Sequence, residues 1–161
     1  MQDIKQLMSD TKFYGDYSRW QEDKHRYESW DDAVDRVMNM HKEKYKDKMS
    51  VELEDMIEFV SEHYKQKNIL GAQRALQFGG EQLMRHNSKL YNCSASYVDR
   101  LEFFQEAMYL LLCGCGVGFS VQKEHIRKLP NIYPREFGIK QHVIEDSIEG
   151  WADAFGILLS S

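Results

Sequence analysis

LYNCSASYVDRLEFFQEAMYLLLCGCGVGFSV, residues 90–121, is the stretch that decides the fold. Residues 90–98 are a compact run of tyrosine, cysteine, serine and valine with the texture of a buried strand. Leu101, Phe104, Met108, Leu111 and Leu112 then recur at helical spacing and give the next segment one apolar face. Gly116-Val117-Gly118-Phe119-Ser120-Val121 reads as a second strand. Strand, helix and strand in that order form the unit in which two parallel strands are joined by a crossover helix. The expected class is therefore α/β.

Upstream, the texture is helical. Residues 1–27 mix Asp, Lys, Tyr and Trp without a period, which predicts an irregular arm docked through Phe13, Tyr14, Tyr17 and Trp20. Ser29 with Asp32 makes a capping-box-like start, and Trp30, Ala33, Val34, Val37 and His41 follow at helical spacing as far as the Lys-rich stretch at Lys46 and Lys48. Ser50 can cap a second helix, with Leu53, Met56, Ile57, Val60 and Tyr64 on one face and Glu52, Glu54, Asp55, Glu58 and Glu62 outside. The two predict an antiparallel pair or similar small layer, and the methionines Met38, Met40, Met49 and Met56 read as helix packing. After Asn68, the glycines Gly71, Gly79 and Gly80 punctuate a short helical piece carrying Ala72, Ala75, Leu76, Leu83 and Met84.

Downstream, Pro130 and Pro134 mark an extended loop, and residues 139–145 alternate as a short strand. Asp146 with Glu149 makes another capping box, ahead of Ile148, Trp151, Ala152, Phe155 and Leu159. That helix reaches the end of the sequence with no Gly or Asn to stop it, so the chain is expected to continue elsewhere. No linker or repeat separates residues 1–70 from residues 71–161, and the helical layer and the α/β part are expected to pack as one unit.

A net charge of -5 and a pI near 5.7 leave no basic footprint for duplex DNA or an anionic membrane, so a nucleotide partner should be small. The longest apolar run, residues 107–113, is too short to span a bilayer, and the first thirty positions carry no leader pattern. The reading is soluble and cytoplasmic. Cys93, Cys113 and Cys115 are an odd set without C-x-x-C spacing, against a secreted disulfide scaffold or a structural zinc site. The C-x-C pair Cys113/Cys115 can bind metal or act as a thiol–disulfide switch, or it can simply mark a helix-to-strand junction.

Cys93 lies in a small, polar stretch where core packing alone would favour Val or Ile. It is either a small buried hydrophobe or a redox thiol. Gly114, Gly116 and Gly118 follow a helix and open a strand, the reverse of a dinucleotide-binding fingerprint. They either let a ligand approach the backbone or relieve crowding at a tight junction. The histidines show no pairing at i, i+3 or i, i+4, which gives little support to a metal site or a Ser-His-Asp hydrolase.

Four blocks in order go further: Arg74-Ala75-Leu76-Gln77-Phe78-Gly79-Gly80, Tyr91-Asn92-Cys93-Ser94, residues 110–121, and Asp146-Ser147-Ile148-Glu149-Gly150-Trp151-Ala152. Together with Tyr17, Arg19, Trp20 and the helix opening at Trp30, they resemble the monomeric-type class II, adenosylcobalamin-dependent ribonucleotide reductases. That resemblance implies a helical N-terminal layer followed by the first strands and helices of a ten-stranded α/β barrel. It implies an oxidoreductase that makes deoxyribonucleotides for DNA replication, from ribonucleotides expected as triphosphates, with adenosylcobalamin as cofactor. Cys93 would be one of two cysteines that become a disulfide as the 2′-hydroxyl leaves, regenerated by a thioredoxin-type reductant. Asn92 and Ser94 would flank the substrate, Arg74 and Ala75 would approach its phosphates or sugar, and Cys115 and Gly116 would line the base side. Asp99, at the opening of a helix, would belong to an allosteric effector site, or is simply an aspartate favoured by the helix dipole. The radical-forming cysteine and the second redox cysteine match nothing here, so the resemblance also implies a complementary C-terminal chain or segment as partner. The competing reading is a non-catalytic module that binds a nucleotide or a partner protein.

Overall fold

The computed structural model describes residues 4–134 and 141–160, arranged as two compact units, Met1–Leu90 and Tyr91–Ser161. The division falls later than the expected boundary at residue 70. The reason is local: Ala75 and Leu76 are buried in the same core cluster as Ala33, Val34 and Val37.

In the first unit the expected irregular arm begins as a helix, α1 (Ile4–Asp16). Its sequence shows no period because only Phe13 is buried, meeting the Trp30 ring edge-on at 5.6 Å. A hairpin comes next, in which β1 (Trp20–Gln21) pairs antiparallel with β2 (Arg26–Tyr27). The start of α2 (Trp30–Lys44) is the expected capping box: Asp32 N donates to Ser29 Oγ at 3.2 Å and Ser29 N donates to Asp32 Oδ2 at 2.8 Å. Ser50 caps α3 (Val51–Lys65) by accepting from Leu53 N at 3.2 Å. Trp30 Nε1 donates to the Tyr64 carbonyl at 3.1 Å, Lys65 pairs with Asp35 at 2.7 Å and Lys42 with Glu58 at 3.4 Å, so α2 and α3 run antiparallel. Ile57 and Tyr64 carry the buried face of α3 with Leu53 and Val60 packed beside them, while Met56, expected there, is exposed.

The glycine-punctuated piece is α4 (Gln73–Phe78) and α5 (Glu81–Arg85). A Cβ on Gly79 would lie 2.3 Å from the Ala75 carbonyl oxygen and 3.0 Å from Val37 Cγ2, so only glycine lets α4 end this close to α2.

The second unit holds the strand, helix and strand read from residues 90–121. In β3 (Cys93–Tyr97) and β4 (Gly116–Ser120) the strands pair parallel, Cys93 beside Gly116, Ala95 beside Gly118 and Tyr97 beside Ser120. Between them runs α6 (Glu102–Leu112). The α/β class holds, in small two-stranded sheets among the described residues. The expected burial does not. Cys93, Ala95 and Tyr97 are exposed, and Phe103 is the buried residue of α6 while Leu111 and Leu112 are exposed. One sheet face takes α6 through Phe103, whose ring meets Phe119 edge-on at 5.6 Å, and on the other face Cys93, Ala95, Gly116 and Gly118 are exposed.

α6 ends where Gly114, at φ 82°, turns the chain; Gly114 N donates to the Leu111 carbonyl at 2.9 Å and Cys115 N to the Leu110 carbonyl at 2.9 Å. Those paired bonds are the helix-terminating motif that favours a left-handed glycine. A short helix, α7 (Lys123–Ile126), comes after β4. Of the strand expected at 139–145, residues 141–145 are not in a strand and 139–140 lie outside the described residues. The last helix, α8 (Ile148–Ser160), is capped by Ser147, whose Oγ accepts from Gly150 N at 2.9 Å, where Asp146 was expected in that role. It packs on α6, with Gln105 Nε2 donating to Asp153 Oδ1 at 2.6 Å and Phe104 edge-on to Phe155 at 6.4 Å. Among the described residues no helix is long and apolar enough to cross a membrane.

Candidate functional site

Side chains alternate across a strand, and register partners in a parallel pair share a face. Cys93, Ala95 and Tyr97 therefore lie on one face of the sheet with Gly116, Gly118 and Ser120 beside them, opposite the face that takes α6. Among the described residues that face is a shelf with the Cys93 thiol at one end and the Tyr97 ring at the other.

The three glycines separate by cause. Gly114 is required by its left-handed backbone. Gly116 and Gly118 are not left-handed, and the chain itself leaves room for side chains there. A Cβ on Gly116 would meet Asn92 O at 3.6 Å and Cys93 Sγ at 4.0 Å; one on Gly118 would meet Ser94 O at 3.7 Å. These are ordinary contacts, so crowding does not account for either residue. What glycine leaves is exposed backbone directly beside the thiol.

The cysteines separate in the same way. Cys93 is exposed, whereas Cys113 and Cys115 are 1% and 2% exposed. Cys115 Sγ lies 3.6 Å from the Gly116 carbonyl oxygen, behind the shelf, and neither buried thiol is in a disulfide. Their burial fits the junction reading of the C-x-C pair. As a line of contact to a ligand, Cys115 offers backbone alone.

Of the other residues expected at the site, Asn92 O accepts from Gly116 N at 2.8 Å and so pins the start of the shelf. Ser94 alternates onto the face that takes α6. Arg74 and Ala75 belong to the first unit: the Arg74 guanidinium sits 5.4 Å from the Phe78 ring centre, and Ala75 is in the core. Asp99 is held by cations, Arg100 at 3.0 Å and Lys128 at 3.7 Å. The N-terminus of α6 has no side-chain cap. Clefts of about 480 and 400 Å³ flank the α6–α8 contact, both touching Gln105 and Asp153, and neither includes an expected site residue.

Sequence reasoning missed two features. The first is the Tyr97–His125 pair, whose rings stack with centres 4.4 Å apart and planes at 30°. The period-two pattern 93, 95, 97 was the available signal for Tyr97; His125, on α7, had none. The second is a buried ion pair in the first unit. Glu28, 4% exposed, takes two bonds from Arg36, Nε to Oε1 at 2.7 Å and Nη2 to Oε2 at 2.9 Å. Arg36 also donates to the carbonyls of Leu76 at 2.9 Å and Gly79 at 3.0 Å, so one guanidinium ties α2, α4 and the residue that follows β2 together. Burial, with the Arg36 charge nearby, lowers the Arg19 guanidinium from its ordinary value. An arginine one step from the apolar stripe of α2 was the signal for this pair.

No protein-family model matches the chain, and no curated protein matches it. Among solved structures it is similar to the crystal structure of a B-12 dependent (class II) ribonucleotide reductase, with a TM-score of 0.72 and 19% identity. The likeness covers 97% of this chain and 31% of that one, so this chain spans less than a third of that protein's length. At such identity it is the fold that is shared.

Proposed function

We propose that this chain is one part of an enzyme of the ribonucleotide reductase type, and that Cys93 supplies one of two thiols that reduce the substrate ribose. The observation that carries the reading is the shelf: one exposed thiol beside two strand glycines that the chain's own packing does not require. The shared fold and the four ordered sequence blocks support the same reaction class.

On this reading a ribonucleotide lies on the shelf with its 2′-carbon near Cys93 Sγ. The 2′ C–O bond breaks and a C–H bond takes its place. Two thiols, Cys93 and one from the rest of the enzyme, give up two electrons and two protons to yield a disulfide and one water. A thioredoxin-type dithiol then returns the disulfide to two thiols by exchange. Glycine at 116 and 118 admits the sugar to the backbone, and the Asn92 carbonyl holds β4 in register beside the thiol. Triphosphates are the proposed substrates, and Asn92 with Gly116 the backbone neighbours of the sugar.

Adenosylcobalamin would supply the radical that opens the substrate to this chemistry. The clefts beside α6 and α8, about 480 and 400 Å³, hold none of the residues expected at the site. On this reading the cofactor is held mainly by the complementary segment. The test is a reductase assay with adenosylcobalamin, a thioredoxin-type reductant and a ribonucleoside triphosphate, in the presence of that segment. Loss of deoxyribonucleotide formation in Cys93→Ser is expected; an equally active Cys93→Ser protein would end the assignment.

A further inference from the structure

We infer that Tyr97, backed by His125, is the platform on which the base of a nucleotide stacks when its sugar meets Cys93. The inference rests on the proposed role of the shelf and names one residue that sets its specificity for a planar heterocycle.

Tyr97 shares its sheet face with Cys93 and stands four residues along the same strand. At about 3.3 Å per residue the two positions are roughly 13 Å apart. A carbon in contact with the thiol takes up about 4 Å of that span, and a ring stacked on the tyrosine about 4.5 Å. What remains, roughly 4–5 Å, is the width of one sugar ring between thiol and base. The floor between is Ala95, Gly116 and Gly118, with no side chain larger than a methyl to interrupt it.

The tyrosine is also prepared for stacking. One face of its ring is covered by the His125 imidazole at 4.4 Å, while the residue as a whole remains 55% exposed. His125 is itself fixed, its side chain 14% exposed and its Nε2 3.5 Å from Glu124 Oε1. Its Nδ1 is buried with no hydrogen-bond partner among the described residues, and its ring packs on Tyr97. A ring held from behind loses little freedom when a second ring is laid on its front.

Alkylation of Cys93 reads occupancy of the shelf, because the other two cysteines are buried in the folded chain. The probes are a ribonucleoside 5′-monophosphate and ribose 5-phosphate, which differ in the base alone, each titrated against the rate of thiol alkylation in this chain. In the unaltered protein both should slow the reaction, the nucleotide at a midpoint about tenfold lower, the advantage a base gains from one aromatic stack. Tyr97→Leu should abolish that advantage and leave ribose 5-phosphate unchanged, whereas Tyr97→Phe and Tyr97→Trp should keep it. A nucleotide advantage that survives in Tyr97→Leu would overturn the inference alone. Absence of protection by either probe in the unaltered protein would overturn the reading of the shelf and the inference with it.

Discussion

Replacing Gly118 by alanine separates what the fold needs from what the site needs. Gly118 lies in β4 beside Ala95, outside the left-handed region, and an added Cβ would find Ser94 O at 3.7 Å. The methyl fits within this chain. Alanine restricts the unfolded chain more than glycine does, so stability should rise by about 0.4–1 kcal/mol. That corresponds to roughly a twofold to fivefold gain in the folding constant. The same methyl stands on the shelf, where a ligand in close contact would have to move to admit it. An inserted methyl at a filled contact costs about 1–3 kcal/mol, so the nucleotide midpoint for protecting Cys93 should rise at least about fivefold. Urea unfolding followed by tryptophan fluorescence reads the first effect and thiol alkylation the second. A stability loss of more than about 1 kcal/mol would mean that the strand itself needs the glycine. An unchanged midpoint would mean that nothing approaches the backbone there, and either result refutes the reasoning.

Glu28→Gln keeps the shape of the buried side chain but leaves the Arg36 charge without its counterion, and should lower the stability of the first unit by about 3 kcal/mol in urea unfolding; a change under about 1 kcal/mol would show that the pair does not hold β2 to α2. Hydrogen bonds from Arg26, Lys24 and Ser29 hold the Asp32 carboxyl well below the ordinary carboxylate range. Because the folded value is the lower one, the stability from Asp32 is complete above about pH 5 and drains as pH falls through about 3.9 and below. Asp32→Asn should therefore flatten the fall in urea midpoint on the acid side, and parallel curves for the two proteins would contradict it.

How much was legible depended on whether a signal was local. The Ser29 and Ser50 caps, the antiparallel pair and the strand-helix-strand order of residues 90–121 are written in spacing, and all appear. Failures came where burial is decided at a distance. α1 buries only Phe13, so its helix left no period to read. The segment from Gly71 onward looked like the start of the second part, but Ala75, Leu76 and the Arg36 bonds tie α4 to the first unit. Ser147 and Asp146 are both good caps one residue apart, and sequence had no means to choose between them. At the candidate site, Cys93 stood out by composition, but its exposure and the room beside Gly116 and Gly118 come from the pairing register and the side that α6 takes. Tyr97 came into view only with His125 behind it.

The central claim is that Cys93 is oxidised as substrate is reduced. It is tested most directly by mapping thiols after a single turnover of the complete enzyme, with adenosylcobalamin and a ribonucleoside triphosphate but no external reductant. Mass spectrometry of the digested protein should find the Cys93 peptide joined by a disulfide to a cysteine of the complementary segment, in amount equal to the deoxyribonucleotide formed. Deoxyribonucleotide formed while Cys93 stays a free thiol would contradict the account.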